Sequence, residues 1–225
     1  SGDDLIKPLG AVDTENYSYG ELFNEVNART GGIAYGIEVY DSATDTDAFR
    51  AMFAVRGKAL YPEMDFMFSM IREVLTTSRL DDTKRLYEII ARVKSRAQAN
   101  LVSAGHSTAV LRGASYASPM AAFQDEMAGI GYYQFIEKLE KDFDSCKEEI
   151  VKNLRKVMEE VLRPENFSVS YTGERESLDA VKVQAGEIKK ILFNGQKPET
   201  SSQPSCTKKN EAFKTSGQVQ YVAQS

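Results

Sequence analysis

The sequence predicts an α+β fold, a two-layer sandwich in which helices pack on one face of a mostly antiparallel sheet. Residues 33–40 and 49–55 alternate apolar and polar side chains with period two across a short polar turn, as a half-buried hairpin does. Later segments repeat apolar residues at steps of three and four, the mark of amphipathic helices. In order the chain reads hairpin, several long helices, strand, helix, linker, strand.

Residues 3–30 read as two short helices around a loop. Tyr17-Ser18-Tyr19-Gly20 is the break, and Ser18 or Tyr19 lies near the start of the second helix. Arg29-Thr30-Gly31-Gly32 leads into the first strand, where Ile33, Tyr35, Ile37 and Val39 share one face. After the turn at Asp41–Asp47, Phe49, Ala51, Phe53 and Val55 form the second, antiparallel strand. Pro62 and Glu63 open a helix with an apolar stripe of Met64, Met67, Phe68, Ile71, Val74 and Leu75, which is core rather than a cofactor box.

Asp81 and Asp82 cap a longer helix that buries Leu86, Ile89, Ile90, Val93, Ala97 and Leu101 and ends at Gly105. Residues 107–128, rich in Ala, Ser and Gly with a break at Pro119, are expected to be helical. A short helix then runs from Gly129 and Gly131 through Phe143, followed by a charged helix with Ile150, Leu154, Val157, Met158 and Val161 on one side. Pro164 ends it. Phe167, Val169 and Tyr171 alternate as a strand, and Leu178, Val181, Ala185, Ile188 and Leu192 mark the last helix. The expected domain covers 1–194, with a linker over 195–217 and a final strand within 218–225.

The net charge is −5 and the cations are scattered among acids, so the clustered positive surface that nucleic acid demands is missing. No apolar run reaches the roughly 18–20 residues of a membrane span, and Ser1-Gly2-Asp3-Asp4 is no secretory signal, so membrane and nucleic acid are both excluded as expected partners. Cys146 and Cys206 make no disulfide framework and fit a reducing compartment. The single histidine, His106, is the sharpest constraint. Zinc peptidase chemistry needs two imidazoles a helical turn apart, and a structural zinc needs about four nitrogen or sulfur ligands.

Several stretches, in order, resemble the pitrilysin/insulinase family of zinc peptidases, presequence-protease branch. They are Tyr17-Ser18-Tyr19 with Glu21-Leu22, Asn27 to Ile33, Val55 to Leu60, Arg96 through Gly105-His106, Arg112-Gly113-Ala114, Gly129-Ile130-Gly131-Tyr132 and Val219 to Ala223. The resemblance implies one of four related α+β domains, arranged as two hinged halves around a chamber for unfolded peptides. This chain resembles the third domain, in the non-catalytic half, with its last residues starting the fourth. It is therefore expected to be a piece of a longer polypeptide, and the strand pair that opens the family domain has no counterpart here. The family's zinc motif, His-x-x-Glu-His, falls on the helix matching residues 4–13, which reads Asp4-Leu5-Ile6-Lys7-Pro8-Leu9-Gly10 without a histidine.

The resemblance thus implies a zinc-dependent metalloendopeptidase whose ligands lie outside this chain. No catalytic, cofactor-binding or metal residue is expected within it. Expected partners are the other domains of the same polypeptide and unfolded peptide substrates. The cytoplasm is expected for a bacterial source and an organelle for a eukaryotic one. A catalytically inactive scaffold or assembly subunit of the same fold is the alternative; a stand-alone hydrolase built on His106 is the remote one. Arg29 to Gly36 imitates the family's substrate-contacting Arg/Tyr segment, but its glycines are read as a positive-φ turn into the strand. Asp81-Asp82 is read as a cap, Arg56-Gly57-Lys58 as a solvated strand end, and Lys147–Glu160 as a solvated helix face.

Overall fold

The computed structural model describes residues 9–45, 48–195, 204, 206–215 and 219–224. Eight α-helices and one two-stranded antiparallel sheet are formed among them, so the fold is α+β. Helix α1 (Tyr19–Arg29) opens on a capping box: Ser18 Oγ accepts from Glu21 N–H while the Glu21 carboxylate accepts from Ser18 N–H. The expected helix before it falls largely outside the described residues, and the part that is described, 9–12, is turn and bend. Gly10 sits there at φ 78°, a conformation that ends rather than continues a helix.

Strand β1 (Ile33–Asp41) pairs with β2 (Phe49–Gly57) from Ile33↔Gly57 to Asp41↔Phe49. Gly32 supplies the positive φ, 107°, that turns the chain into β1. Period two puts Ile33, Tyr35, Phe53 and Val55 on one face, which packs on Met64, Met67, Phe68, Ile71 and Leu75 of α2 (Met64–Thr77) and on Val181 and Ile188 of α8 (Leu178–Lys190). Pro62 opens α2 through a 3-10 turn, Tyr61–Glu63. Glu73 of α2 holds the chain ahead of α1 by accepting from Asn16 N–H (3.0 Å) and from the Asn16 side chain.

A second core joins α3 (Thr83–Ser103), α6 (Ile130–Lys141) and α7 (Phe143–Val161) around Leu86, Ile89, Val93, Tyr132, Ile136 and Phe143. Asp82 caps α3 by accepting from Arg85 N–H at 2.9 Å; Asp81 does not cap and instead faces Arg155 at 3.9 Å. Gly105 begins α4 (Gly105–Ala114) rather than terminating α3, because the turn is made by Ala104 at φ −120°, ψ 37°. Helix α5 (Pro119–Ala128) begins at the expected proline break, with Ser118 Oγ accepting from Ala121 N–H.

Two expected strands do not form among the described residues. Residues 167–172 join no ladder; instead Phe167 and Tyr171 pack sideways onto the α2/α8 core. Their alternation records that one-sided burial, which needs no neighbouring strand. Residues 219–224 likewise join no ladder, and Gln218 lies outside the described residues.

The Tyr132 hydroxyl is buried in the α3/α6/α7 core and has no hydrogen-bond partner among the described residues. Burial pushes its pKa up, the signature of a polar group held in apolar surroundings. Tyr132→Phe removes the orphaned hydroxyl and keeps the ring. The expected result is unchanged or slightly raised stability, by up to about 1 kcal/mol. A loss above that in urea denaturation would show that the hydroxyl has a partner after all.

Candidate functional site

The densest polar arrangement is a junction between α4, α5, α6 and the C-terminal segment. Asp125, in the last turn of α5, has its side chain only 2% exposed. Its Oδ1 accepts from Ile130 N–H (3.0 Å) and its Oδ2 from Gly131 N–H (3.1 Å), so one helix caps the next. That approach requires glycine: a Cβ at Gly129 would stand 2.9 Å from Asp125 Cα, and one at Gly131 2.8 Å from Asp125 Oδ2.

Arg112, on α4, donates from Nη1 to Asp125 Oδ2 at 2.6 Å. Its Nε donates to Glu211 Oε2 at 2.9 Å, Nη2 lies 2.8 Å from the same oxygen, and Tyr116 donates its hydroxyl there at 2.8 Å. Burial works against the guanidinium charge, but the hydrogen bonds to Glu211 and Asp125 outweigh it and its pKa is raised. The Phe213 and Tyr116 rings both stand 5.7 Å from the cation.

Further along, Tyr221 lies over Gly105, where a Cβ would come within 2.6 Å of Tyr221 Cε2, and Ala223 lies over Gly113 at 3.3 Å. Alternate residues of an extended segment therefore seat in two notches of α4. Gly105-His106, Arg112-Gly113-Ala114, Gly129 to Tyr132 and Val219 to Ala223, scattered in sequence, thus meet in one place. Arg112, Tyr116, Asp125 and Glu211 bond to one another and to the start of α6, so the junction acts as a fastening that holds the C-terminal segment to α4 and α5 to α6.

The other sequence candidates stay apart from it or serve it structurally. His106 is exposed, and its ring lies 6.0 Å from that of Tyr221, tilted by 55°. Arg29 lies over the Phe66 ring and pairs with Glu63 at 2.8 Å; Arg56 pairs with Glu38; the Lys58 stem lines Gly31. Cys146 is half-buried and Cys206 exposed, both as free thiols. Among the described residues no three His, Cys, Asp or Glu side chains converge, so this donor set does not fit a zinc ion. No helix among them is long and apolar enough to cross a membrane.

Glu211 gives the fastening a pH dependence. Although its burial acts to raise the pKa, hydrogen bonds from Tyr116 and Arg112 and the Arg112 charge lower it below the usual 4.5. A lowered folded-state pKa means the hold is complete above about pH 4.5 and is lost as pH falls through the folded value. Limited proteolysis of residues 206–224 should therefore quicken in acid and, at neutral pH, in Glu211→Gln. Equal cleavage of both proteins at every pH would count against this hold.

The family model for the associated domain of peptidase family M16, subfamily C, matches residues 5–139. The chain is 29% identical over 219 residues to Protein HypA of Clostridium perfringens, covering 97% of this chain and 22% of that protein. It is 26% identical over 164 residues to the mitochondrial presequence protease of Yarrowia lipolytica, covering 72% of this chain and 17% of that protein. Presequence protease 1, chloroplastic/mitochondrial, of Arabidopsis thaliana is 24% identical over 224 residues, 97% of this chain and 20% of that protein. The chain spans about a fifth of the length of these relatives. With more than half of its residues under that family model, the chain belongs to the associated-domain family of the subfamily C peptidases of family M16.

Proposed function

We propose that this chain is a non-catalytic domain of a zinc-dependent metalloendopeptidase. It forms part of the wall of a closed chamber in which unfolded peptides are degraded. Zinc and the general base come from other domains of the same polypeptide, and selectivity comes from volume and enclosure. The observation that supports the reading is the match of residues 5–139 to the associated-domain family of the subfamily C peptidases of family M16; beside it, the junction at Arg112, Asp125 and Glu211 bonds its side chains to one another and to the start of α6.

The names of the Yarrowia and Arabidopsis relatives support an organelle if the source is eukaryotic, and we keep the cytoplasm for a bacterial one. Two measurements test the proposal together. The purified 225-residue chain should retain no stoichiometric zinc and cleave no fluorogenic peptide, whereas the longer polypeptide should cleave it and stop on chelation. Chelator-sensitive cleavage by the chain alone would overturn the assignment. A longer polypeptide without His-x-x-Glu-His would turn it into the scaffold reading.

A further inference from the structure

The segment that leaves α8 carries Asn194-Gly195, and no other asparagine of the sequence precedes a glycine. Its neighbours are anchored. Leu192 is buried in the α2/α8 core, Phe193 N–H donates to the Leu162 carbonyl at 2.8 Å, and the Gly195 carbonyl accepts from Nη2 of Arg163. The Arg163 side chain is only 7% exposed, and Glu165 is its second acceptor, 2.5 Å from Nε.

Between those anchors Asn194 is exposed and lies outside helix and strand. Neither its side chain nor the Gly195 N–H meets a hydrogen-bond partner among the described residues. Other asparagines are placed differently. Asn24, Asn27, Asn100 and Asn153 lie within helices, where the following N–H is committed to the preceding turn, and the Asn16 side chain is held by Glu73.

We propose that Asn194 is a site of spontaneous covalent modification, in which the Gly195 nitrogen closes on the Asn194 side-chain carbonyl. The bond from Gly195 N to Asn194 Cγ forms, the Cγ–Nδ2 bond breaks, and the amide proton of Gly195 leaves with that nitrogen as ammonia. Water then opens the five-membered imide. Opening at the main-chain carbonyl gives isoaspartate, opening at the side-chain carbonyl gives aspartate, and either product adds a carboxylate where the amide was neutral. Glycine favours the closure because residue 195 has no Cβ to crowd the attacking nitrogen or to restrict its rotation.

The two products differ in what they do to Arg163. Isoaspartate routes the main chain through its own Cβ, inserting one further C–C bond, about 1.5 Å, between the anchored Phe193 and Gly195. A hydrogen bond tolerates only a few tenths of an ångström, so the Gly195 carbonyl leaves Arg163 and the buried guanidinium loses an acceptor. Aspartate keeps the main chain and the hold. None of this depends on the peptidase reading.

The test is incubation of the 225-residue chain at mildly alkaline pH beside a free peptide of residues 191–197, with residue 194 followed by mass after trypsin. Isoaspartate is read by methyl label from an isoaspartyl carboxyl methyltransferase. Residue 194 of the folded chain is expected to change from amide to acid, faster as hydroxide rises, and to take up label. In Gly195→Ala the new Cβ would meet nothing nearer than Arg163 Nη1 at 4.0 Å, so the variant should fold as before and convert at least tenfold more slowly. The isoaspartyl chain, separated by ion exchange, should unfold about 3–12 °C below Asn194→Asp, which carries the new charge on an unchanged main chain. Asparagine persisting in the folded chain while the free peptide converts would overturn the proposal, as would equally fast conversion of Gly195→Ala. Equal unfolding temperatures for the isoaspartyl chain and Asn194→Asp would overturn the release of Arg163.

Discussion

Asp125→Ala is expected to destabilise the protein by about 3–5 kcal/mol, the cost of leaving two N–H groups at the start of α6 without an acceptor and Arg112 with one of its two carboxylates. The alanine removes the acceptor of two N–H groups at the start of α6 and the counter-charge 2.6 Å from Arg112 in one step. Water cannot readily replace it, because the carboxylate is wrapped by Gly129 and Gly131. For a chain of this size such a loss lowers Tm by about 6–20 °C. Asp125→Asn keeps the side-chain oxygen for one N–H and should lose about half as much. Arg112→Met with Asp125→Ala should be less damaging than the sum of the single changes, since each single change already removes the same ion pair. Urea denaturation of the three variants checks this; a loss under about 1 kcal/mol for Asp125→Ala would mean the junction is solvated in solution.

Leu86→Ala is the second large effect, about 2–5 kcal/mol. Leu86 is 2% exposed in the first turns of α3, in a cluster with Val12, Tyr132, Ile136 and Phe143 drawn from four separate segments. A void there cannot close by the shift of one helix alone, because α3 is held to α6 and α7 over much of its length and Arg85 donates to the Ala11 carbonyl at 2.9 Å. The loss should therefore fall in the upper part of the range, with an unchanged denaturant slope. Leu86→Met, which conserves volume, should cost under about 1.5 kcal/mol. A small loss for alanine would show that the cluster collapses freely around the missing side chain.

The elements that were legible in the sequence are those whose burial repeats with a fixed local period. Helices α2, α3, α7 and α8 declare themselves by steps of three and four, and the hairpin by alternation on both sides of a polar turn. Ser18 with Glu21 and Asp82 with Arg85 N–H are short-range devices, visible from spacing alone. Asp81 shows the limit of that signal, because two adjacent aspartates before a helix do not reveal which one caps. Gly105 was ambiguous for a related reason: a glycine between helical segments marks a boundary without saying on which side it belongs. The alternation at Phe167, Val169 and Tyr171 reports one-sided burial, and packing on α2 and α8 produces that as well as a sheet does.

The junction was legible only in pieces. Arg112 and Asp125 are 13 residues apart, and Arg112 and Glu211 are 99 apart, separations at which no helical or strand period operates. The resemblance marked Arg112-Gly113-Ala114, the run to Gly129 to Tyr132 and Val219 to Ala223 as noteworthy, but it singled out none of Tyr116, Asp125 and Glu211, the residues that join them. The one local hint was the pair of glycines at 129 and 131, whose purpose, room for a carboxylate, needs the three-dimensional path of α5 into α6.

The attachment of α8 to α2 bears on how the chain is made. Gln184 is hydrogen-bonded to Arg72 and Asp65, across 112 and 119 residues of sequence. The Met64, Met67, Phe68, Ile71 and Leu75 side chains of α2 thus leave the ribosome long before Val181 and Ile188 exist to cover them. At roughly 5–20 residues per second that interval is about 6–24 s, far longer than the microseconds in which apolar segments collapse. The hairpin, made earlier, shields part of the stripe; the rest stays open to passing chains and to holding chaperones until α8 has been made.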